Sequence, residues 1–561
     1  MLSYLSDVVD ASRTFRSPIA GTPAGTVVVR AADLVVRGGG TVTAADTAPS
    51  AGELAVFCRP VVTAPAVVGR DGAVRVDGWL PDFVRLGELE RHLGDGVIEE
   101  IVAEAVDQGR LRGRQRRRLM SYPLLVRLTI AMTLAPDASY CEALLRLVGL
   151  LADIPFTREW HVPTEKVITD WRRLVPAGLL ESVFWRAAGP LIDEGEPSAV
   201  RLAGMTVCAA DGMLVNVADT PANRAAFGST GTGDGSGPFP QLRIVALAAR
   251  AGRALLGAIL GSTRAGEQTL LKRLVARRPD LVAGRVVCFD RNFPGWELIG
   301  AILDAGGHVV ARVKAGISLP TQPDGWLTDG SRMTWLNAPS GRTADRLPVR
   351  ATEHNVVLPR DCDGEGEVSE TCTLITTLLD HRAAPADAVR DTYLTRWSAS
   401  ETTFGENKTT ISGAGNRTSG PVLRSGSPRM VIAEAWAWLT ATQLVRASAA
   451  AALHSPTAAA RALRRRHNTR VVADEESFTA LRHHAIRAMA TTQITASSSL
   501  DAHLAAAEDA ARAALHTLNT PGRQRHSPRV QKARPKFRHT TATKTTITGT
   551  PRVTVFAPGF P

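Results

Sequence analysis

The block from Val207 to Lys314 constrains the fold of this chain most. Five short apolar runs lie in it, separated by glycine-containing turns and by two stretches of helical pattern. Val207-Cys-Ala-Ala-Asp211 is the first run. Gln241 to Arg250, then Ala-Gly-Arg, then Ala254 to Leu260 reads as a β-hairpin. Gly266 to Leu274 has the apolar spacing of a short helix. Val286 to Phe289 is a buried strand, Trp296 to Ala305 a helix, and His308 to Lys314 another strand. Strand, hairpin, helix, strand, helix, strand is the order of a mixed α/β layer.

The flanking segments differ in pattern. Residues 1–78 are weakly patterned, rich in Ala, Val, Gly and Thr. Residues 79–200 read as helical. Leu86 to Leu93, Val97 to Val106 and Tyr122 to Leu134 carry apolar residues at three- and four-residue spacing, and Asp137-Ala-Ser-Tyr opens a further helix. A basic run, Arg110 to Arg118, lies between two of them. Pro163-Thr164 followed by Asp170-Trp-Arg-Arg173 has the look of a helix-turn-helix. The α/β unit is expected over 201–430, with a β-rich insertion at about 316–385. C-terminal helices follow over 431–520, and a basic tail over 521–561.

With 561 residues, 44% apolar and 21% charged, the chain has the composition of a globular protein with a large core. No run reaches the roughly 18 apolar residues of a membrane span. The first 30 residues carry Asp7 and Asp10 and lack a secretory pattern. The six cysteines form no CxxC pair; Cys208 and Cys288 sit inside apolar strands, as reduced buried thiols do. A cytosolic protein is expected. The net charge is +12, and from Ala510 to Pro561 there are ten Lys or Arg and no Asp or Glu. Such a tail points to a polyanionic partner, nucleic acid above all.

Two aspartates close apolar runs: Asp211, followed by Gly212, and Asp290, in Asp290-Arg-Asn-Phe. Strand-end aspartates also form turns, so their position alone leaves both readings open. Adjacent strands would set the two carboxylates side by side, and a third carboxylate would complete a site for two divalent ions about 4 Å apart. Hard ions such as Mg2+ prefer these oxygen donors. The third is offered by Tyr393-Leu-Thr-Arg396-Trp-Ser-Ala-Ser-Glu401-Thr-Thr-Phe-Gly-Glu-Asn-Lys408. Gly228 to Gly237 is glycine-rich but lacks the Gly-Lys-Ser/Thr ending of a phosphate loop, and reads as a loop beside the site.

These motifs together resemble bacterial DDE transposases of the insertion-sequence-4 type. Asp211 in Ala-Asp-Gly and Asp290 in Asp-Arg-Asn-Phe match the two aspartates. Tyr393, Arg396, Glu401 and Lys408 match the family's Tyr, Arg, Glu and Lys in type. Val422-Leu-Arg-Ser-Gly-Ser-Pro428 looks like the segment that follows the glutamate helix. The resemblance spans residues 80 to 545 and implies a ribonuclease-H-like catalytic core with a β-rich insertion, preceded by a helical N-terminal DNA-binding domain. It implies Mg2+ or Mn2+ held by Asp211, Asp290 and Glu401. It also implies double-stranded DNA as partner, both terminal inverted repeats and target, and a homodimer in the DNA complex. Arg396, Lys408 and Arg291 would meet phosphates, and Tyr393 would position the strand. Trp326 and Trp335, in the insertion, read as half-buried structural residues, although some relatives stack a flipped base there. One departure stands out: four residues separate Arg396 from Glu401 where the family has three. That sets the two about 140° apart on an ideal helix. Glu406 is the alternative third ligand. A decayed, DNA-binding descendant and a structure-specific nuclease of the same fold are the competing readings.

Overall fold

A computed structural model describes residues 26–30, 61–68, 74–111, 120–191, 200–230, 239–396 and 423–454, apart from short breaks, with a few residues at 483–486, 525–526, 547–548 and 552–555. Glu401, Glu406 and Lys408 lie outside the described residues. So do most of the basic run, the glycine-rich loop at 231–238, and nearly all of the helices expected at 457–516.

Strands β1 (Thr26–Arg30), β2 (Val61–Val68) and β3 (Val74–Trp79) form a small sheet that β4 (Phe156–Arg158) joins parallel to β3. The helical region comprises α1 (Glu88–Arg91), α2 (Val97–Asp107), α3 (Tyr122–Leu134), α4 (Tyr140–Val148), α5 (Glu165–Arg172) and α6 (Ala177–Ala187). Ser121 caps α3, its hydroxyl accepting from the Leu124 amide, and Ser139 with Glu142 forms a capping box on α4. Helix α3 is buried on every side, which marks a core helix and removes it from any reading surface.

Over the expected helix-turn-helix at 163–173 lies one helix, α5, capped by Thr164; α6 follows it after four residues, and β4 lies between α4 and α5. The Phe156 ring of β4 lies 5.3 Å from that of Phe83. The Arg172 guanidinium is buried over the Tyr140 ring, and Arg173 pairs with Asp170.

The main sheet follows. Its strands are β5 (Arg201–Leu202), β6 (Met205–Asn216), β7 (Gln241–Ala249), β8 (Leu255–Ser262), β9 (Arg285–Phe289), β10 (His308–Arg312), β11 (Arg332–Leu336), β12 (Leu347–Pro359) and β13 (Glu367–Thr376). The short strands β14 (Arg525–His526) and β15 (Ile547–Thr548) pair with each other, and β16 (Arg552–Val555) joins the edge of β12. The expected hairpin is β7–β8. Between the strands lie α7 (Pro221–Phe227), α8 (Glu267–Arg277), α9 (Trp296–Asp304) and α10 (Ala386–Arg396); α11 (Pro428–His454) comes last.

The order across the sheet is β11-β12-β13-β10-β9-β6-β7-β8. Its core, β8-β7-β6-β9-β10, has β7 antiparallel to both its neighbours and β6, β9 and β10 mutually parallel. In chain order that is 3-2-1-4-5, the ribonuclease-H-like arrangement. The insertion does not stand apart from this core: β13 pairs antiparallel with β10, Val310 opposite Thr376, so β11 to β13 continue the same sheet.

Side-chain alternation decides what covers each face. Cys208, Ala210, Val287, Phe289, Val309 and Ala311 pack under α8 and α9. Val207, Ala209, Val286, Cys288 and Val310 face Ala384 and Val389, at the start of α10. Further along β6, Met213 and Val215 join the core of the helical region, which α11 crosses with Trp436 and Trp438. Phe184 of α6 lies 5.0 Å from the Trp436 ring. Among the described residues no helix is long and apolar enough to cross a membrane.

Candidate active site

Strands β6 and β9 run parallel with Ala209 opposite Cys288. Two residues on, in the same register, stand Asp211 and Asp290. Alternation puts both on the face shared by Ala209 and Cys288, the face that α10 covers. Each is half-buried. Asp290 ends its strand as expected. Asp211 does not: β6 continues to Asn216 because β7 pairs with it throughout, Asn216 opposite Gln241. Asp211 marks the point where β6 outruns its partner β9, which leaves that edge of the carboxylate's surroundings open.

Both carboxylates are oriented by local backbone. The Gly212 amide donates to Asp211 Oδ1 at 2.8 Å. The Asn292 amide donates to Asp290 Oδ1 at 2.8 Å and the Asn292 side-chain amide to Oδ2 at 3.2 Å, while the Phe293 amide donates to the Asp290 carbonyl. Asp290 thus closes a turn and keeps its carboxylate aimed past the strand end.

Gly212 has a tertiary reason. A Cβ there would lie 2.5 Å from Glu267 Oε1 and 2.7 Å from its Cγ. Glu267 opens α8 and pairs with Arg243 of β7 at 3.1 Å. Gly212→Val is therefore expected to push Glu267 off Arg243 and to destabilise the chain by about 1–3 kcal/mol, read as a lower urea midpoint at unchanged slope.

Helix α10 brings Tyr393 and Arg396 to the same face. Tyr393 packs against the cluster beneath α10, and burial pushes its hydroxyl up to about 12. The Arg396 and Arg312 guanidiniums oppose that rise, and Cys372 and Asp290 add to it. Tyr393 is thus a neutral hydroxyl within electrostatic reach of Asp290. Arg396 departs from expectation. It is 5% exposed, its guanidinium 5.5 Å from the Tyr393 ring centroid, and close enough to Cys288 to pull that thiol's pKa down against the larger rise from burial. With the side chain turned under the helix, Arg396 braces Tyr393 and presents no charge to solvent. Arg291 is half-buried beside Asp290 and has no ion pair among the described residues. Cys208 and Cys288 are buried free thiols, as their strand positions implied.

One residue of the site went unread in the sequence. Ala311 lies opposite Phe289 in the β9–β10 ladder, so the next pair is Arg312 and Asp290. Arg312 shares the α10 face with Val310 and acts electrostatically on Tyr393. Its signal was its position at the end of an apolar strand, parallel to the strand that ends in Asp290. Trp326 is 40% exposed, with the Arg332 guanidinium 5.9 Å from its ring, and Trp335 is half-buried in β11.

The segment after the unplaced glutamate returns to this region. Leu423 bridges Val217 just beyond β6, and the Arg424 and Ser425 amides donate to Glu434 of α11. Among the described residues no three His, Cys, Asp or Glu side chains converge as a metal-binding set.

No family model matches the chain. The transposase InsG for insertion sequence element IS4, from Escherichia coli (strain K12), is 24% identical over 355 residues, 63% of this chain and 75% of that protein. A solved structure, the piggyBac transposase synaptic complex with hairpin DNA, covers 75% of this chain and 84% of that one at 8% identity and a TM-score of 0.36, a loose superposition. The sequence similarity to InsG, on a chain whose sheet has the ribonuclease-H-like strand order, supports a transposase of the insertion-sequence-4 type.

Proposed function

We propose that this chain cuts and joins the ends of a mobile element by metal-assisted phosphodiester chemistry. The observation that carries the reading is the pairing of Asp211 with Asp290 on the sheet face covered by the Tyr393 helix. Two hard oxygen donors carried by adjacent parallel strands fit a divalent ion such as Mg2+ or Mn2+. Asp211, Asp290 and Glu401 would hold it. When bound, divalent ions activate an attacking hydroxyl and stabilise the leaving oxygen.

The protein's own groups do the rest. Tyr393, kept neutral by burial, offers a hydroxyl donor that orients the DNA strand. Arg312 and Arg291 flank Asp290 and draw a phosphate toward it, and Lys408 would add a third cation. Arg396 acts through Tyr393. The helical region of residues 79–200 and the basic tail are proposed to bind the duplex, both terminal inverted repeats and target, in a homodimeric complex. The buried Arg396, together with the extra residue before Glu401, favours one second reading, a decayed transposase that binds DNA without cutting it.

Purified protein would be incubated with a duplex carrying the end of its own element and Mg2+, beside Glu401→Gln and Glu406→Gln. Cleavage at the element end that is lost in Glu401→Gln and kept in Glu406→Gln is the expected result. Loss in Glu406→Gln alone would move the third ligand. Binding with no cleavage under Mg2+ or Mn2+ would replace the enzyme with the decayed form.

A further inference from the structure

The insertion does more than widen the sheet: its turn reaches the start of the helix that carries Tyr393. Asp329 lies in the turn before β11, and its Oδ2 accepts from the Ala386 amide at 2.9 Å, the first residue of α10. The same oxygen accepts from Arg350 of β12 at 2.9 Å. Asp329 Oδ1 takes the Ser331 amide and hydroxyl. The Arg350 side chain is fully buried and every direction of its fork is used. It donates to Ser331 Oγ, to the Leu378 carbonyl just past β13, and to the Ala384 carbonyl on the approach to α10. One guanidinium therefore joins the insertion turn, the exit of β13 and the entry of α10.

This arrangement is costly unless the position it fixes matters. A buried arginine needs all its hydrogen bonds met, and an apolar pair of similar shape would hold two strands as well. A carboxylate at a helix N-terminus meets the free amides and the positive end of the helix dipole. Burial raises the Asp329 pKa, and the Ser331 bonds, the Ala386 amide and the Arg350 charge outweigh it and hold the group below the usual carboxylate range. Asp329 is thus ionised at neutral pH and available as a cap.

We propose that Asp329 and Arg350 are positioning residues that set the axial placement of α10, and through it of Tyr393, on the aspartate pair. Their role in cleavage rests on the transposase reading above; their role in holding α10 does not. Beneath α10, β9 and β10 offer Val286, Cys288 and Val310, and the bonds from Asp329 and Arg350 are made at its N-terminal end.

The full-length protein, Asp329→Asn, Arg350→Met and the double variant would be compared by hydrogen exchange, thermal midpoint and Mg2+ titration of end-duplex cleavage. In Asp329→Asn we expect amides of α10 to exchange about tenfold faster, with β9 and β10 unchanged. Cleavage should need about tenfold more Mg2+ at unchanged duplex binding. In the double variant, which leaves no buried charge unpaired, the thermal midpoint should recover while α10 exchange and Mg2+ demand do not. Unchanged α10 exchange in Asp329→Asn, or recovery of all three readouts in the double variant, would overturn the proposal. If the wild-type protein does not cleave, the transposase reading fails and the exchange data still decide the role of the pair.

Discussion

Asp290→Ala is expected to abolish Mg2+-dependent cleavage of the element end, by about a thousandfold or more, and Asp211→Ala to match it. Losing several kcal/mol of charge stabilisation at the reacting phosphate corresponds to that factor. The two variants should be no worse in combination than singly, because a pair that holds one group acts as a unit. Duplex affinity should stay within about threefold of wild type, since phosphate contacts elsewhere carry it. Single-turnover cleavage and a filter-binding titration at fixed salt would separate the two effects. A parallel fall in binding would mean that the aspartates shape the surface without taking part in the chemistry. Neither variant should unfold the chain: Asp211 and Asp290 are half-buried, and each accepts a bond from a nearby backbone amide, Gly212 and Asn292.

Arg127→Met is the stability counterpart. Arg127 lies fully buried in α3 and meets two carboxylates at once. Its Nε donates to Glu90 at 3.0 Å and its Nη2 to Glu99 at 2.8 Å, with a further short contact to Glu90. Glu90 in turn accepts from the Leu86 amide at 2.8 Å. Removing the guanidinium leaves two acidic groups against α3 with Arg85 as their remaining cation. A loss of about 3–5 kcal/mol is expected, the usual cost of stranding a buried charge. Arg127→Met with Glu90→Gln should recover most of it, since the charges then leave together. Denaturant melts of the single and double variants would check both figures. A loss under about 1 kcal/mol in the single variant would show that solvent reaches the pair, because exposed ion pairs contribute no more than that.

These expectations rest on two kinds of information. The alternation of short apolar runs with glycine turns was enough to place β7, β8, β9, β10, α8 and α9 within a few residues, because the central strands are buried on both faces and the helices keep an apolar stripe. The same runs marked Asp211 and Asp290, and the Tyr393 to Lys408 segment resembles one transposase family in residue type. Local pattern failed where distant residues decided the outcome. Asp211 looked like a strand end, yet β7 pairs on past it and keeps β6 extended. The segment at 163–173 had helical signals and forms α5, yet the connection before it pairs as β4 with β3. Arg396 sat in a motif that promised a phosphate contact, and the packing of α10 on Cys288 and Tyr393 turned it inward.

The sequence by itself marked Asp211 and Asp290 as candidates, since carboxylates that follow apolar runs are a local property of the chain. Only the tertiary structure decided which of them meet. The parallel register of β6 on β9 brings residues 79 positions apart side by side, and the register of β9 on β10 adds Arg312. The turn around Asp329 fixes a helix 57 residues further along. Register and packing are set by the sum of many burial contacts across strands, a quantity no window of sequence contains.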